Sequence, residues 1–402
     1  MKEFFFTASM IMLFHTNIAF ADNKINLKER WDTYNDPSRL ESYVDDELFT
    51  YAFHELPLSG NLRSSPWSGG YWPSYQGGIS YRWSMPAEND IYRYGYELLS
   101  DADIGQADLT NLSPSEKLDI ILRKYTFPHT RSERARTNVL KTVPWSSEYE
   151  PGYSIPYWFG LCHAWAPATI AFKQPKPVIV RNSDGIIVPF GSSDIKALLA
   201  YFLDNNYGLT KLAGKRCNFE IDDLLERYRT GQISREEYLE ELSSCSDINA
   251  GAFHIALANQ IGILGKSFLA DISRMPEVWN QPIYKYQTHI VEAHEGTRDN
   301  SAPGTVRVIK VKTTMYYTPE ISYSWNIPSS YPETSKEYTY WLELDRNGSI
   351  IGGEWENENS DRPDFIWKQK TPEFVGDYRI IKQLYDISVG NEYQPNKIYN
   401  AF

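Results

Sequence analysis

The chain has 402 residues and carries 52 acidic against 40 basic side chains, which gives a net charge of −12. This balance excludes a protein that binds nucleic acid through a broad basic surface. The length suffices for one large domain or two ordinary ones. The 12 Trp and 29 Tyr residues are typical of a protein with large, rigid contact surfaces.

The first 21 residues have the pattern of a signal peptide. Met1–Glu3 is a short charged start, a mostly apolar run follows, and Ala19–Ala21 fits a small-x-small cleavage site. The run is interrupted by His15–Asn17, so it is too short and too polar to span a bilayer, and no later stretch is apolar enough. We therefore expect a secreted or periplasmic protein without a membrane span.

The segment 158–171 places one cysteine, Cys162, after a glycine and before a run of small residues that predicts a helix. A thiol at a helix N-terminus meets free N–H groups and the positive end of the helix dipole, and both favour the reactive thiolate. Trp72, Trp158 and Trp165 are expected to wall a slot that excludes water from the sulfur. The alternative for a lone cysteine is a buried structural residue.

The other two cysteines, Cys217 and Cys245, lie 28 residues apart in a polar segment. In an exported protein this spacing favours a local disulfide, which contributes roughly 3–4 kcal/mol if it is unstrained. Their pairing leaves Cys162 as the odd thiol, although the sequence leaves other pairings open.

A histidine and an acid follow Cys162 at a distance. His254 stands inside the apolar run 249–262, and Asp271 ends a strand-like segment that begins at 267. Cysteine, then histidine, then an acid is the chain order of papain-like enzymes, in which the acid fixes the imidazole tautomer and stabilises its charged form. The alternative for His254 is a hydrogen-bonded core histidine.

Other groups fit these roles less well. His163 is next to Cys162, and adjacent residues on a helix point in different directions. His289 and His294 lie on a strand-like stretch, and His289 is a weak alternative to His254 as the catalytic histidine. Asp247 stands too close before His254 to orient it from a neighbouring strand. No histidine–carboxylate cluster has zinc-ligand spacing, and no calcium-type loop is present.

The remaining elements predict an α+β protein. Ser113, Pro114 and Glu116 form a helix start with a capping box. Strand-like segments at 284–292, 306–317 and 337–344, with a hairpin turn at 345–348, predict a long antiparallel sheet. We expect a papain-like cysteine-enzyme core in which a helical part carrying the nucleophile packs against this sheet.

The segment Val278–Pro282 resembles the core of the surface peptide of oomycete cell-wall transglutaminases that plants detect as an elicitor. The Cys162 segment, 249–262, the Asp271 strand and 352–367 resemble blocks of the same family in the same order. The resemblance covers about 65–370 and implies a catalytic domain there, after a signal peptide (1–21) and an N-terminal extension (22–64) that is a candidate pro-segment. A C-terminal segment (371–402) follows.

The resemblance implies a transglutaminase with Cys162, His254 and Asp271 as its triad and calcium as a candidate cofactor. Its partners would be a protein glutamine donor and a primary-amine acceptor, such as a lysine or a polyamine. A cysteine protease or a glutamine deamidase with the same triad is the alternative, and a non-catalytic recognition protein is a third. Papain-like proteases have a Gln six residues before the cysteine, where this chain has Pro156. The oxyanion donor must therefore come from elsewhere, such as the Cys162 N–H and the 67–78 segment.

Overall fold

The computed structural model describes residues 34–41, 48–206, 208–216, 221–244, 247–272, 275–356 and 362–401. The predicted signal peptide, part of the N-terminal extension, and both Cys217 and Cys245 lie outside these ranges, so the predicted disulfide stays a prediction. Within the described ranges, no helix is long and apolar enough to cross a membrane.

Eleven strands of the described residues form two sheets. Their bounds are β1 Ser59–Asn61, β2 Val178–Arg181, β3 Ile187–Phe190, β4 Thr210–Gly214, β5 Phe268–Asp271, β6 Asn280–Glu295, β7 Arg307–Tyr317, β8 Thr334–Leu344, β9 Ile350–Trp355, β10 Phe365–Gln369 and β11 Ile398–Asn400. The large sheet has the order β4-β10-β5-β6-β7-β8-β9, with β1 paired to β6. All its pairings are antiparallel, which confirms the predicted long antiparallel sheet.

The helices of the described residues lie before, between and after the strands. They are α1 Ile91–Tyr94, α2 Asp101–Ile104, α3 Pro114–Ile121, α4 Pro128–Thr137, α5 Cys162–Ala171, α6 Ser192–Asn205, α7 Ile221–Arg229, α8 Arg235–Ser244, α9 Ala250–Leu257 and α10 Tyr378–Val389. The capping box predicted for α3 is present, with Ser113 as N-cap and Glu116 as its partner. The α+β class is therefore confirmed.

The hairpin between β8 and β9 follows from its turn residues. The Asp345 carboxylate accepts the N–H groups of Asn347 and Ser349 at 2.9 and 3.0 Å. Gly348 has a φ of 76°, which an L side chain rarely adopts. The turn thus fixes the register in which β9 pairs with β8 and extends the sheet.

The large sheet separates two hydrophobic cores. On β5 and β10, Leu269 and Trp367 pack into the core that contains helix α5. Their neighbours Ala270 and Ile366 pack into the core that contains helix α9. Because successive strand residues point to opposite faces, the helix that begins with Cys162 lies on one face of the sheet and α9 lies on the other.

Candidate functional site

Cys162 is the first residue of helix α5, and its side chain is buried at 6% exposure. The Leu161 carbonyl accepts the N–H groups of Ala164 and Trp165 at 3.0 and 2.7 Å. The N–H groups of Cys162 and His163 have no acceptor in the part of the chain that the structure describes. The thiol of Cys162, which is free, therefore lies where a helix N-terminus stabilises negative charge.

The segment 67–78, named above as a candidate source of the oxyanion donor, supports this helix start. The Tyr71 carbonyl accepts the Leu161 N–H at 2.6 Å, and the Ser74 N–H donates to the Phe159 carbonyl at 2.7 Å. A Cβ on Gly160 would lie 2.7 Å from the Tyr71 carbonyl oxygen. Glycine before Cys162 is therefore required by the close approach of two backbones, not by a turn.

Asn280 contributes a polar side chain that the sequence reasoning missed. Its Nδ2 lies 3.8 Å from Cys162 Sγ, and its Oδ1 accepts the Trp367 indole N–H at 2.7 Å. An indole nitrogen can only donate, so Trp367 fixes the amide with its NH₂ group toward the sulfur. The thiol itself donates to the Val278 carbonyl at 3.4 Å. The Val278–Pro282 segment, read in the sequence only as a family signature, therefore forms one side of the site.

Asp271 lies behind that segment. It is opposite Asn280 in the β5–β6 register, it is fully buried, and its carboxylate accepts the Trp279 N–H at 3.1 Å. The structure thus brings Asp271 to the Cys162 side of the sheet, where its carboxylate binds the backbone of the Val278–Pro282 segment.

His163 is the histidine that shares the cavity with Cys162. Its Nε2 lies 2.7 Å from Oδ1 of Asp204, near the end of α6. Burial lowers the pKa of His163, but hydrogen bonds to Asp204 and Cys162, with the charges of both, outweigh burial and raise the pKa to about 9. The side chain stays half-exposed. His163 is therefore protonated at neutral pH beside the thiol.

The structure does not bring His254 to this site. Its helix α9 packs on the opposite face of the sheet, where Nδ1 lies 2.9 Å from the Tyr340 hydroxyl and the ring stacks on Phe53. The side chain is fully buried, and burial lowers the pKa of His254 to about 4. The physical reason is the apolar run around His254, which buries the whole helix in the core.

The cavity beside Cys162 has a volume of about 460 Å³. Trp158 lines it, whereas Trp72 and Trp165 are fully buried beneath the surface and do not line it. The lining tryptophan that the sequence reasoning missed is Trp367, together with two arginines, Arg136 and Arg216. In the described ranges, no group of three or more His, Cys, Asp or Glu side chains is placed to hold a metal ion.

A free cysteine at a helix N-terminus, beside a histidine that an aspartate orients, is the arrangement typical of enzymes with a cysteine nucleophile. The chain belongs to the transglutaminase elicitor family, whose model matches residues 36–374. The structure is similar to the crystal structure of the GP42 transglutaminase from Phytophthora sojae, with 25% sequence identity and a TM-score of 0.59. The match covers 85% of this chain and 94% of that one. No curated protein matches the sequence significantly.

Proposed function

We propose that this protein is a secreted transglutaminase that joins protein glutamine side chains to primary amines through a thioester on Cys162. The observation that carries the proposal is the Cys162–His163–Asp204 arrangement at the start of α5, in a chain of the transglutaminase elicitor family. Secretion rests on the signal-peptide pattern of residues 1–21, which lie outside the described residues.

The first half of the reaction acylates the enzyme. The Cys162 thiolate attacks the side-chain carboxamide carbon of a glutamine, and a tetrahedral intermediate forms. As the C–N bond breaks, the His163 imidazolium gives its proton to the nitrogen, so that ammonia leaves and a thioester remains. Asp204 keeps His163 charged before this transfer and holds the ring beside the sulfur.

The second half transfers the acyl group. A neutral primary amine attacks the thioester carbonyl, His163 accepts the proton that the amine loses, and the Cys162 thiolate leaves. The product is an isopeptide bond, and the imidazolium–thiolate pair is restored. The enzyme thereby returns to its starting state, and the net reaction replaces the ammonia of the glutamine carboxamide with the primary amine.

Asn280 is the proposed donor to the oxyanion. Its NH₂ group faces the Cys162 sulfur because Trp367 holds the other end of the amide. The unbonded N–H groups of Cys162 and His163 at the helix start supply further donors. Together they replace the glutamine that papain-like proteases place where this chain has Pro156. One such donor is worth about 3–4 kcal/mol of transition-state stabilisation.

In this proposal Asp271 is a positioning residue. Its carboxylate holds the Trp279 N–H, and Trp279 immediately precedes Asn280. His254 has a structural role in the opposite core. The proposed site thus combines a helix-borne cysteine, a histidine oriented by an acid, and an amide donor, with the histidine supplied by the same helix as the cysteine.

Glutamine deamidation is the second candidate function. His163 is half-exposed, so water reaches the thioester when no amine is present and converts the glutamine to glutamate. Amine transfer and deamidation therefore share every step up to the thioester and differ only in the attacking molecule.

The proposal is tested by following the incorporation of a fluorescent primary amine into a glutamine-rich protein. Wild type is compared with Cys162→Ala, His163→Ala and His254→Phe. We expect the first two variants to lose incorporation and the third to retain it. Incorporation by Cys162→Ala, or its loss in a folded His254→Phe protein, would contradict the assignment.

A further inference from the structure

A second cavity, of about 730 Å³, lies next to the Cys162 cavity. Three tyrosines, Tyr71, Tyr75 and Tyr323, line it together with one carboxylate, Glu320. The residues that line it, all within the described ranges, include no lysine or arginine. This cavity takes no part in the thioester chemistry described above.

The two cavities share a wall. Ser74 lines the Cys162 cavity, whereas its neighbours Pro73 and Tyr75 line the second one. Burial raises the pKa of Tyr71, and the nearby charges of Tyr75, Glu320 and Cys162 raise it further. Tyr71 therefore lies close enough to both Glu320 and Cys162 for their charges to affect its hydroxyl, and it lines the second cavity.

Glu320 is held in place by the Val278–Pro282 segment. Both carboxylate oxygens lie 3.0 Å from Nε2 of Gln281, the residue after Asn280. Within this segment, the Asn280 side chain therefore lies next to Cys162 and the Gln281 side chain contacts Glu320. Because Gln281 is neutral, the bond orients the carboxylate without cancelling its charge.

The chemistry of the cavity suits an organic cation. Tyrosine faces attract ammonium groups through the ring quadrupole, and a carboxylate accepts charge-assisted hydrogen bonds from them. Asp90 lies behind Gln76, but Arg93 pairs with it at 3.2 Å and balances its charge, so Glu320 is the carboxylate on which cation binding depends. Burial raises the pKa of Glu320, and a bound ammonium would oppose that shift.

We propose that this cavity binds the distal ammonium of a diamine or polyamine acceptor, whose other amine reaches the thioester across the Tyr71 wall. The inference rests on the proposed transglutaminase function. A diamine meets two requirements that a single amino group cannot meet at once. The amino group bound in the cavity must be charged, and the amino group that attacks the thioester must be neutral. The site would favour alkyl diamines over monoamines of the same length.

The kinetic test compares cadaverine with pentylamine as acceptors for wild type and Glu320→Gln. We expect Glu320→Gln to raise KM for cadaverine about 10-fold or more, because one charge-assisted hydrogen bond is lost. The KM for pentylamine and the rate of ammonia release should not change. Tyr75→Ala, a change at an exposed ring, should raise the cadaverine KM in the same sense. Glu295→Gln, which removes an exposed carboxylate on β6, is the matched control and should change neither KM.

A binding test separates this inference from the proposed function. Cadaverine is titrated into Cys162→Ala protein and into the Cys162→Ala/Glu320→Gln double variant, and binding is measured by calorimetry. If cadaverine binds saturably and Glu320→Gln abolishes this binding, the cavity is an ammonium-binding site even if the protein shows no catalytic activity. The inference is wrong if cadaverine does not bind to the Cys162→Ala protein. It is also wrong if wild type and Glu320→Gln have equal KM for cadaverine while ammonia release is intact. Either result would leave the proposed transglutaminase function standing.

Discussion

The substitution Asp204→Asn tests the assignment of His163 most sharply. The aspartate lies 2.7 Å from Nε2 of His163. Burial lowers the imidazole pKa, and among the causes that raise it the hydrogen bond to Asp204 is the largest, followed by the hydrogen bond to Cys162 and then the charge of Asp204. Asparagine keeps the shape and a hydrogen-bonding oxygen but removes the charge. Arg136, which lies 3.8 Å from Asp204, keeps its bidentate pair with Glu133, so the variant removes the carboxylate charge from His163 without leaving Arg136 unpaired.

The magnitude follows from the raised pKa. The pKa of His163 lies at about 9, compared with an ordinary 6.5, and this is the net result of burial, which lowers it, and of Asp204 and Cys162, which raise it. Because the side chain is half-exposed, solvent screens part of the charge effect, and we expect Asp204→Asn to lower the pKa by about one unit or more. The imidazolium gives its proton to the leaving ammonia, so activity is present below this pKa and falls above it.

The assay is the pH dependence of kcat/KM for ammonia release, together with an NMR titration of the His163 ring. In wild type the alkaline limb should lie near pH 9, and in Asp204→Asn it should move to lower pH in step with the NMR pKa. Asp184→Asn, which breaks a remote pair with Arg123, should leave the limb in place. An alkaline limb that does not move in folded Asp204→Asn protein would refute the role given to His163.

Three further changes test the neighbouring parts of the structure. Asn280→Ala should lower kcat about 10²–10³-fold while leaving alkylation of Cys162 by iodoacetamide intact, because the lost donor serves the oxyanion. Trp367→Phe removes the indole N–H that fixes the Asn280 amide, and a smaller loss of kcat, about 10-fold, should be measured in the same assay with KM little changed. His254→Phe should retain activity and alter acid stability. The folded pKa of His254 is about 4 against an ordinary 6.5, so wild type loses up to roughly 3 kcal/mol as the pH falls from 6.5 to 4, and the variant should lack this loss in urea unfolding.

The sequence predicts the parts of this structure that local rules control. The capping box at Ser113 and Glu116, the turn at 345–348 and the long strands follow from spacing within a few residues. The helix that begins at Cys162 follows from the run of small residues after it.

The groups that meet Cys162 and His163 from other elements could not be found in this way, because they arise from tertiary contacts. Asp204 meets His163 from a helix that starts 30 residues further along the chain, and Trp367 reaches Asn280 across 87 positions. The apolar run around His254 indicates a buried helix, but it does not indicate which face of the sheet that helix covers. Chain order alone therefore favoured His254, whereas the structure places His163 beside the thiol.

The central claim, a thioester on Cys162, is tested most directly by intact-protein mass spectrometry. The protein without its predicted signal peptide is mixed with a glutamine-containing peptide in the absence of amine, quenched in acid and compared with Cys162→Ala. We predict an adduct with the mass of the peptide less ammonia, on Cys162 and released by hydroxylamine. A folded wild-type protein that forms no such adduct, or an adduct that persists in Cys162→Ala, would contradict the account.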